Sequence, residues 1–382
     1  MSLNILCDAI AFCYGPAAAL STLIDELLKP CGTSFNFDVM ATGSTRELLT
    51  RDGHYLNLID IDSSDPKALG ELNVSKYDAF IDVCNPVSYE CLRSRGLPTA
   101  YVDFLLWMHE GPVAAHFDAN LYLAEGYPGT EEWVQLRATE IPNLRVIPPL
   151  VHPAHYRPTA GTLLVGLGGL VSDLTPLNAA ADYASFVLTA LVEALKGSRF
   201  KNVTVACGEP VVKSIGPRFS NPKLSFVSLS HQDFLKELSS CEAFVSHPGL
   251  YAVFEAMIGG VPTALLPASN YTQVLQLRHY RRLGIAAWSF SWEDIGLSPI
   301  PHGLPEPEGV RRTIAQVKEA QQNSKADCDL RSMLGAFFSL DTPALFELGQ
   351  HQRTICSAFG LEGPAIAAQA IEKWLTNSGL RR

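Results

Sequence analysis

The sequence predicts an α/β protein made of two doubly wound parallel sheets facing each other across a cleft. Three observations predict it. Strand-like apolar runs alternate with amphipathic helical segments along most of the chain. The alternation stops at a proline-rich stretch, Ile147-Pro148-Pro149-Leu150-Val151-His152-Pro153, and then begins again. The 382 residues are enough for two domains at roughly 150 residues each. The expected domains are 1–150, 151–355, and a C-terminal segment 356–382 whose helix crosses back to the first domain.

In the first series the strand candidates are Leu3–Cys7, Phe35–Ala41, Leu56–Asp60, Ala79–Val83 and Thr99–Val102. Helical spacing marks Ala17–Leu28, where Leu20, Leu23, Ile24, Leu27 and Leu28 share a face, and also Ser44–Thr50 and Tyr89–Arg95. The second series offers strands at Thr162–Leu167, Asn202–Cys207, Leu224–Ser228, Ala243–Ser246 and Pro262–Leu266. Its helices are Phe186–Leu195, Gln232–Leu238, Tyr251–Ile258 and Val274–Leu283. Ser298–Glu308, rich in proline and glycine, reads as a surface loop, and Ala365–Trp374 as the final amphipathic helix.

Composition narrows the partners. Lys and Arg total 29 against 39 Asp and Glu, a net charge of −10, so the surface repels phosphate backbones and no nucleic-acid partner is expected. Nine scattered cysteines form no C-x-x-C pair, which fits a reducing cytoplasm rather than a disulfide frame or zinc cage. The N-terminus lacks the basic and apolar regions of a signal peptide. The uncharged run Ala256–Leu277 carries two prolines and several polar side chains, so it reads as buried strand and loop rather than a membrane span. A homodimer is admitted by the sequence.

The most informative stretch is Phe244-Val245-Ser246-His247-Pro248-Gly249-Leu250-Tyr251-Ala252-Val253-Phe254-Glu255-Ala256-Met257-Ile258-Gly259-Gly260-Val261-Pro262. It reads as strand, glycine turn, helix, glycine pair and strand. A helix that starts just after His247-Pro248-Gly249 presents backbone N–H groups and about half a positive charge, an end suited to a diphosphate. His247 can donate to the same group. Glu255 follows eight residues later, about two helical turns along, where a carboxylate can accept from both hydroxyls of a ribose. Gly166-Leu167-Gly168-Gly169 ends the first strand of the second series; Gly168 and Gly169 would let a diphosphate approach, although a tight strand-to-helix turn explains them equally well.

The stretch resembles the donor-site motif of the GT-B glycosyltransferases, which include the UDP-glycosyltransferases. Their pattern is His or Arg, one residue, Gly, a helix, Glu eight residues after the first position, then Ala-x-x-x-Gly-x-Pro. His247, Gly249, Glu255, Ala256, Gly260 and Pro262 match it. The resemblance implies two Rossmann-like domains and a UDP-sugar donor, with no further cofactor and no metal. It assigns His247, Gly249 and the backbone near Tyr251 and Ala252 to the diphosphate, and Glu255 to the ribose. Leu266–Leu277 resembles the segment in which an Asp-Gln pair holds sugar hydroxyls; here the pair is Thr272-Gln273, so a strong acceptor is missing. The uracil-stacking loop is expected near Cys207–Pro210 or Leu229–Gln232.

The first domain should hold a small soluble acceptor. Its loop Phe12-Cys13-Tyr14-Gly15-Pro16 occupies the expected position at the end of the first strand, with Gly15 as a donor-side contact, but lacks the histidine many relatives carry there. Asp82, Asn85 and Asp103 lie at strand ends. Asp103 and His109 are the candidate catalytic pair, near Glu110; Trp107 reads first as core. His152 and His155 read as solvated linker, and Arg281 and Arg282 as an exposed helix face. Inverting, metal-free transfer is the leading expectation, in natural-product or nucleoside biosynthesis. A UDP-sugar epimerase of the same fold and a non-catalytic sugar-nucleotide-binding relative are the alternatives.

Overall fold

A computed structural model describes residues 2–29, 34–52 and 57–377. The chain forms two units. One runs from the N-terminus to His152 and resumes at Phe359; the other is Pro153–Ala358.

The first unit is a seven-stranded, all-parallel sheet built from β1 (Ser2–Ala9), β2 (Ser34–Met40), β3 (Asn57–Ile59), β4 (Ala79–Val83), β5 (Thr99–Asp103), β6 (Leu121–Glu125) and β7 (Leu144–Ile147). Their order is β3-β2-β1-β4-β5-β6-β7. Between them run α1 (Gly15–Leu27), α2 (Gly43–Asp52), α3 (Pro66–Glu71), α4 (Pro86–Ser94) and α5 (Thr130–Arg137). β4, β5 and β6 are buried at every residue, which is why they read as continuous apolar runs instead of alternating ones. Two short 3-10 turns, Leu106–Met108 and Ala115–Asp118, fill the β5–β6 connection.

The second unit carries a five-stranded parallel sheet: β8 (Thr162–Leu167), β9 (Asn202–Cys207), β10 (Leu224–Val227), β11 (Ala243–Ser246) and β12 (Thr263–Leu265), ordered β10-β9-β8-β11-β12. Its helices are α6 (Leu177–Ala194), α7 (Glu209–Ile215), α8 (His231–Ser240), α9 (Tyr251–Gly259), α10 (Tyr271–Arg282), α11 (Glu306–Gln322), α12 (Ser324–Phe338) and α13 (Thr342–Cys356). α11 and α12 pack on α6, and α13 on α9. The last helix, α14 (Gly363–Asn377), belongs to the first unit and packs on α1, β6 and β7.

The fold class is the one the alternation predicts; several element boundaries differ. α3, β6, α5, β7, α7 and α11–α13 have no counterpart among the expected elements. α5 buries only Thr130 and Trp133, and β7 buries only Ile147, so neither shows a strong period. The expected loop Ser298–Glu308 ends early, because Pro305-Glu306-Pro307 opens α11, with proline in the first turn. Ala256–Leu277, expected as strand and loop, contributes the end of α9, all of β12 and the start of α10. α10 begins three residues before the expected Val274, since the Asn270 side chain caps it by accepting from the Gln273 N–H. Leu56 of the expected third strand lies outside the described residues.

Each sheet changes winding direction at one point, between β1 and β4 in the first unit and between β8 and β11 in the second. At the first of these, Asp8 and Asp82 are register partners and both fully buried. The Asn85 amide donates to Asp8 (2.7 Å) and to Ser63 Oγ (3.0 Å), while Asp82 accepts from the Asn85 N–H (2.8 Å) and the Ser88 hydroxyl (2.5 Å). Burial, then the neighbouring Asp8 charge, pushes the Asp82 carboxyl well above its ordinary range.

A carboxyl raised in the fold keeps its proton where the unfolded chain has lost it. Its stabilising contribution is therefore complete below the unfolded pKa of about 3.9 and fades as pH rises toward the raised folded value, by at most about 1.4 kcal/mol per pH unit. Asp82→Asn should flatten this decline. Urea unfolding followed by circular dichroism from pH 5 to 8 should show a shallower loss of stability for the variant; parallel pH dependences would refute the protonated pair.

Candidate functional site

In the second unit the winding switch brings together the two glycine-bearing strand ends. β8 runs out into Leu167-Gly168-Gly169, and Gly169 takes a left-handed conformation (φ +67°). β11 runs out into His247-Pro248-Gly249 and then α9. The two ends are joined: His247 Nε2–H donates to the Gly168 carbonyl (2.9 Å) and the Ser246 hydroxyl to the Gly166 carbonyl (2.9 Å). Gly166 has to be glycine, because a Cβ there would meet the Phe244 ring at 2.8 Å. α9 opens at Leu250 without a side-chain cap and closes at Gly260, left-handed at φ +85°.

His247 is only 8% exposed. Burial lowers its pKa to about 4, the Gly168 carbonyl opposing this more weakly, so the ring is neutral. With the proton on Nε2 given to Gly168, Nδ1 is a buried lone pair that has no hydrogen-bond partner. The nitrogen that could donate to a phosphate is thus already engaged, and the ring fixes the orientation of the Gly168–Gly169 backbone.

Glu255 lies on α9, 1% exposed, and pairs with His231 Nε2 (2.7 Å) at the start of α8. The Ser230 side chain caps α8 by accepting from the Asp233 N–H and so fixes where that histidine emerges. Tyr251 is buried, while Ala252 and Gly249 are partly exposed at the head of α9. Thr272 and Gln273, at the start of α10, have internal partners: Thr272 donates to Glu306 (2.8 Å), and Gln273 Oε1 accepts from the Ser269 N–H and hydroxyl (both 2.9 Å). Arg281 is exposed but tied to Ser289 and Asp294.

In the first unit, Gly15 is the first residue of α1, just past the β1 end. Asp82 and Asn85 are spent within the buried cluster described above. Asp103, the last residue of β5, is 1% exposed and makes a dense set of contacts. Its Oδ1 accepts from the Leu105 N–H (2.6 Å) and faces the Cys84 thiol (3.5 Å). Its Oδ2 accepts from His109 Nε2–H (3.0 Å) and from the Tyr122 hydroxyl. Burial alone would raise the carboxyl; His109, by charge and by hydrogen bond, together with Tyr122 and the Leu105 N–H, outweighs it and holds it down at about 2. His109 moves the other way: burial works to lower its pKa, and Asp103 more than reverses that.

Behind His109 stands His116, 5% exposed, stacked on Tyr101 (centroids 4.6 Å apart, planes at 22°) and held by burial at a pKa of about 4. Trp107 is core, its Nε1–H donating to the Phe104 carbonyl (3.1 Å). The sequence brought Asp103 and His109 to notice but passed over His116, Tyr122 and His231. His116 and Tyr122 reach Asp103 only through the β5–β6 connection, and His231 reaches Glu255 only through the packing of α8 on α9; no local spacing announces either.

Both units together have the GT-B fold. No protein-family model matches the chain, and no curated protein matches it in sequence. Solved structures do. The calicheamicin glycosyltransferase CalG4 superposes with a TM-score of 0.54 at 14% identity, covering 98% of each chain. UGT89C1 of Arabidopsis thaliana, complexed with UDP, gives 0.52 at 14% identity over 89% of this chain and 100% of its own. LpCGTa, in complex with UDP, gives 0.51 at 13% identity over 98% and 100%. Among the described residues no helix is long and apolar enough to cross a membrane.

The buried His247 ring makes a direct expectation. In a two-dimensional NMR titration its resonances should move near pH 4, about 2.5 units below the ordinary histidine value. A midpoint near 6.5 would mean that the ring reaches water and does not hold Gly168.

Proposed function

We propose that this chain is a UDP-sugar-dependent glycosyltransferase acting on a small acceptor. The observation that carries the reading is the junction at the β8–β11 switch, where a glycine pair, an uncapped helix start and a buried carboxylate about one turn along are locked together by His247 and His231. Fixed backbone dipoles at the head of α9 receive the diphosphate, with Gly168 and Gly169 alongside, Gly249 in the turn before the helix, and Tyr251 and Ala252 opening it. His247 keeps the Gly168 carbonyl turned away from that negative charge. Glu255, aimed by His231, offers its other oxygen to the ribose hydroxyls. The neighbours whose structures contain UDP support a uridine nucleotide as the ligand, and the shared fold supports the two-unit division of labour.

The first unit supplies the base. His109 gives its Nε2–H to Asp103, so Nδ1 is the nitrogen that takes the proton from an acceptor hydroxyl or amine. The acceptor atom bonds to the anomeric carbon, the bond from that carbon to the phosphate oxygen breaks, and UDP leaves with the electron pair. The imidazolium that results lies against an ionised Asp103, which stabilises it. Attack opposite the leaving group inverts the anomeric centre. This chemistry asks for no metal at the diphosphate, because backbone N–H groups meet its charge there. Thr272 and Gln273, turned into internal hydrogen bonds, leave the backbone of that loop as the sugar-facing element, and Gly15 in the first unit is the remaining donor-side contact.

A screen of UDP-sugars by thermal shift and by UDP release tests this. A cognate ligand at a hundred times its dissociation constant should stabilise the protein by about 2.7 kcal/mol. Glu255→Ala should lose that shift. Asp103→Asn should keep it and lower turnover with acceptor by about 10²–10⁴-fold. No shift with any UDP-sugar, together with an unchanged Glu255→Ala variant, would refute the reading. Binding without turnover under any acceptor would reduce the protein to a sugar-nucleotide binder, and sugar isomerisation without acceptor would make it an epimerase.

A further inference from the structure

Among the described residues, one group gathers three side chains able to ligate a metal: a carboxylate oxygen of Asp103 and one nitrogen each from His109 and His116 lie within 4.8 Å of one another. The sequence reading expected no metal, and its spacing of six and then seven residues through two 3-10 turns carries no recognisable ligand motif.

Several features make the convergence a built site. His116 Nε2 is buried and has no hydrogen-bond partner, although the residue is 95% buried by its 5% exposure. An unpaired buried nitrogen is costly, so the fold holds it there against its own preference for a partner. The ring is clamped, stacked on Tyr101 and met edge-on by Phe117 at 5.1 Å and 88°. Its centroid is 5.2 Å from that of His109. His109 Nε2 and Asp103 Oδ2 are 3.0 Å apart. Two ligands at about 2.0–2.1 Å around a tetrahedral ion lie roughly 3.4 Å apart, so this edge is already close to ligand spacing. Asp103 Oδ1 is fixed by the Leu105 N–H and the Tyr122 hydroxyl steadies Oδ2, the kind of outer hydrogen bonding that orients metal-binding carboxylates.

We propose that Asp103, His109 and His116 bind one divalent transition-metal ion of the zinc class, with solvent completing its coordination. Two imidazoles and one carboxylate suit Zn²⁺ or Co²⁺ and discriminate against Mg²⁺ and Ca²⁺, which prefer all-oxygen shells. The ion takes the place of the proton between His109 Nε2 and Asp103, and that proton moves to His109 Nδ1, the nitrogen left free of the ion. Binding stands on this geometry alone. Its consequence for activity rests on the transferase reading: an ion on His109 ties the base down, and transfer stops.

The test uses the full-length, chelator-stripped protein titrated with Co²⁺. A visible d–d absorption band should saturate at one ion per chain and be displaced by Zn²⁺. His116→Gln should weaken Co²⁺ affinity by at least the ten- to hundredfold, in order of magnitude, that loss of an outer partner alone costs. His109→Asn, at a position 31% exposed and so tolerant of change, should do the same and guards against misfolding of the first variant. No band, a band matched by Mg²⁺ competition, or unchanged affinity in both variants overturns the site; the last would mark adventitious surface binding. If UDP release proceeds unaffected with the ion bound, the inhibitory consequence fails while the site stands. If no UDP-sugar is turned over at all, the Co²⁺ spectrum still decides the site.

Discussion

A carboxyl group cut off from water must have its burial offset, and in this protein three buried acids meet that constraint in three ways. Asp103 is ionised and almost completely buried, so it draws an imidazole, a phenol, a backbone N–H and a thiol around itself. Asp82, beside Asp8, accepts from the Asn85 N–H and the Ser88 hydroxyl, and burial pushes its pKa well up, toward the neutral acid. Glu255 offsets its burial by pairing with His231. The chemistry open to each differs accordingly: a charged partner that can orient a base, a structural acid, and a fixed acceptor. The parallel sheet sets this up for Asp82 and Asp103, which lie at the carboxyl ends of central strands buried from both sides, while Glu255 is placed by α9.

The fold class was legible because it rests on a coarse property, the alternation of apolar runs with amphipathic segments, that survives small errors of boundary. Of the segments that escaped, β6 is buried at every residue, and most of the others are buried only in part. α5 and β7 each bury too little to impose a period, and α11–α13 are charged helices recognisable mainly by one face laid on α6 or α9. Capping explained what periodicity did not: Asn270 moves the start of α10 three residues upstream, and Pro305 turns the end of an expected loop into the start of α11.

The site residues divide along a similar line. His247, Gly249 and Glu255 announce themselves by spacing, since a strand, a turn and a helix impose fixed offsets on what they hold. Asp103 and His109 were visible as a strand-end acid followed by an imidazole, and the structure brings them to 3.0 Å. His116, Tyr122 and His231 are long-range partners. Each is an ordinary residue in its own segment and acquires meaning only by where the chain returns. Sequence spacing therefore exposes the groups that a ligand would meet first and hides the groups that hold them in place.

The histidine at the head of α9 shows how much that hidden layer changes the chemistry. A solvated imidazole at this position would share a proton with an anion readily. His247 instead is neutral, gives its N–H to Gly168 and keeps a bare Nδ1 in a dry environment. A phosphate approaching that nitrogen meets a lone pair, not a donor, unless the ring takes up a proton as the anion arrives. With the ring neutral, the attractive groups are the helix-terminal and glycine N–H dipoles, which are fixed by the backbone and need no proton. Fixed dipoles of this kind attract an anion without any net charge of their own, in a chain whose overall charge is −10.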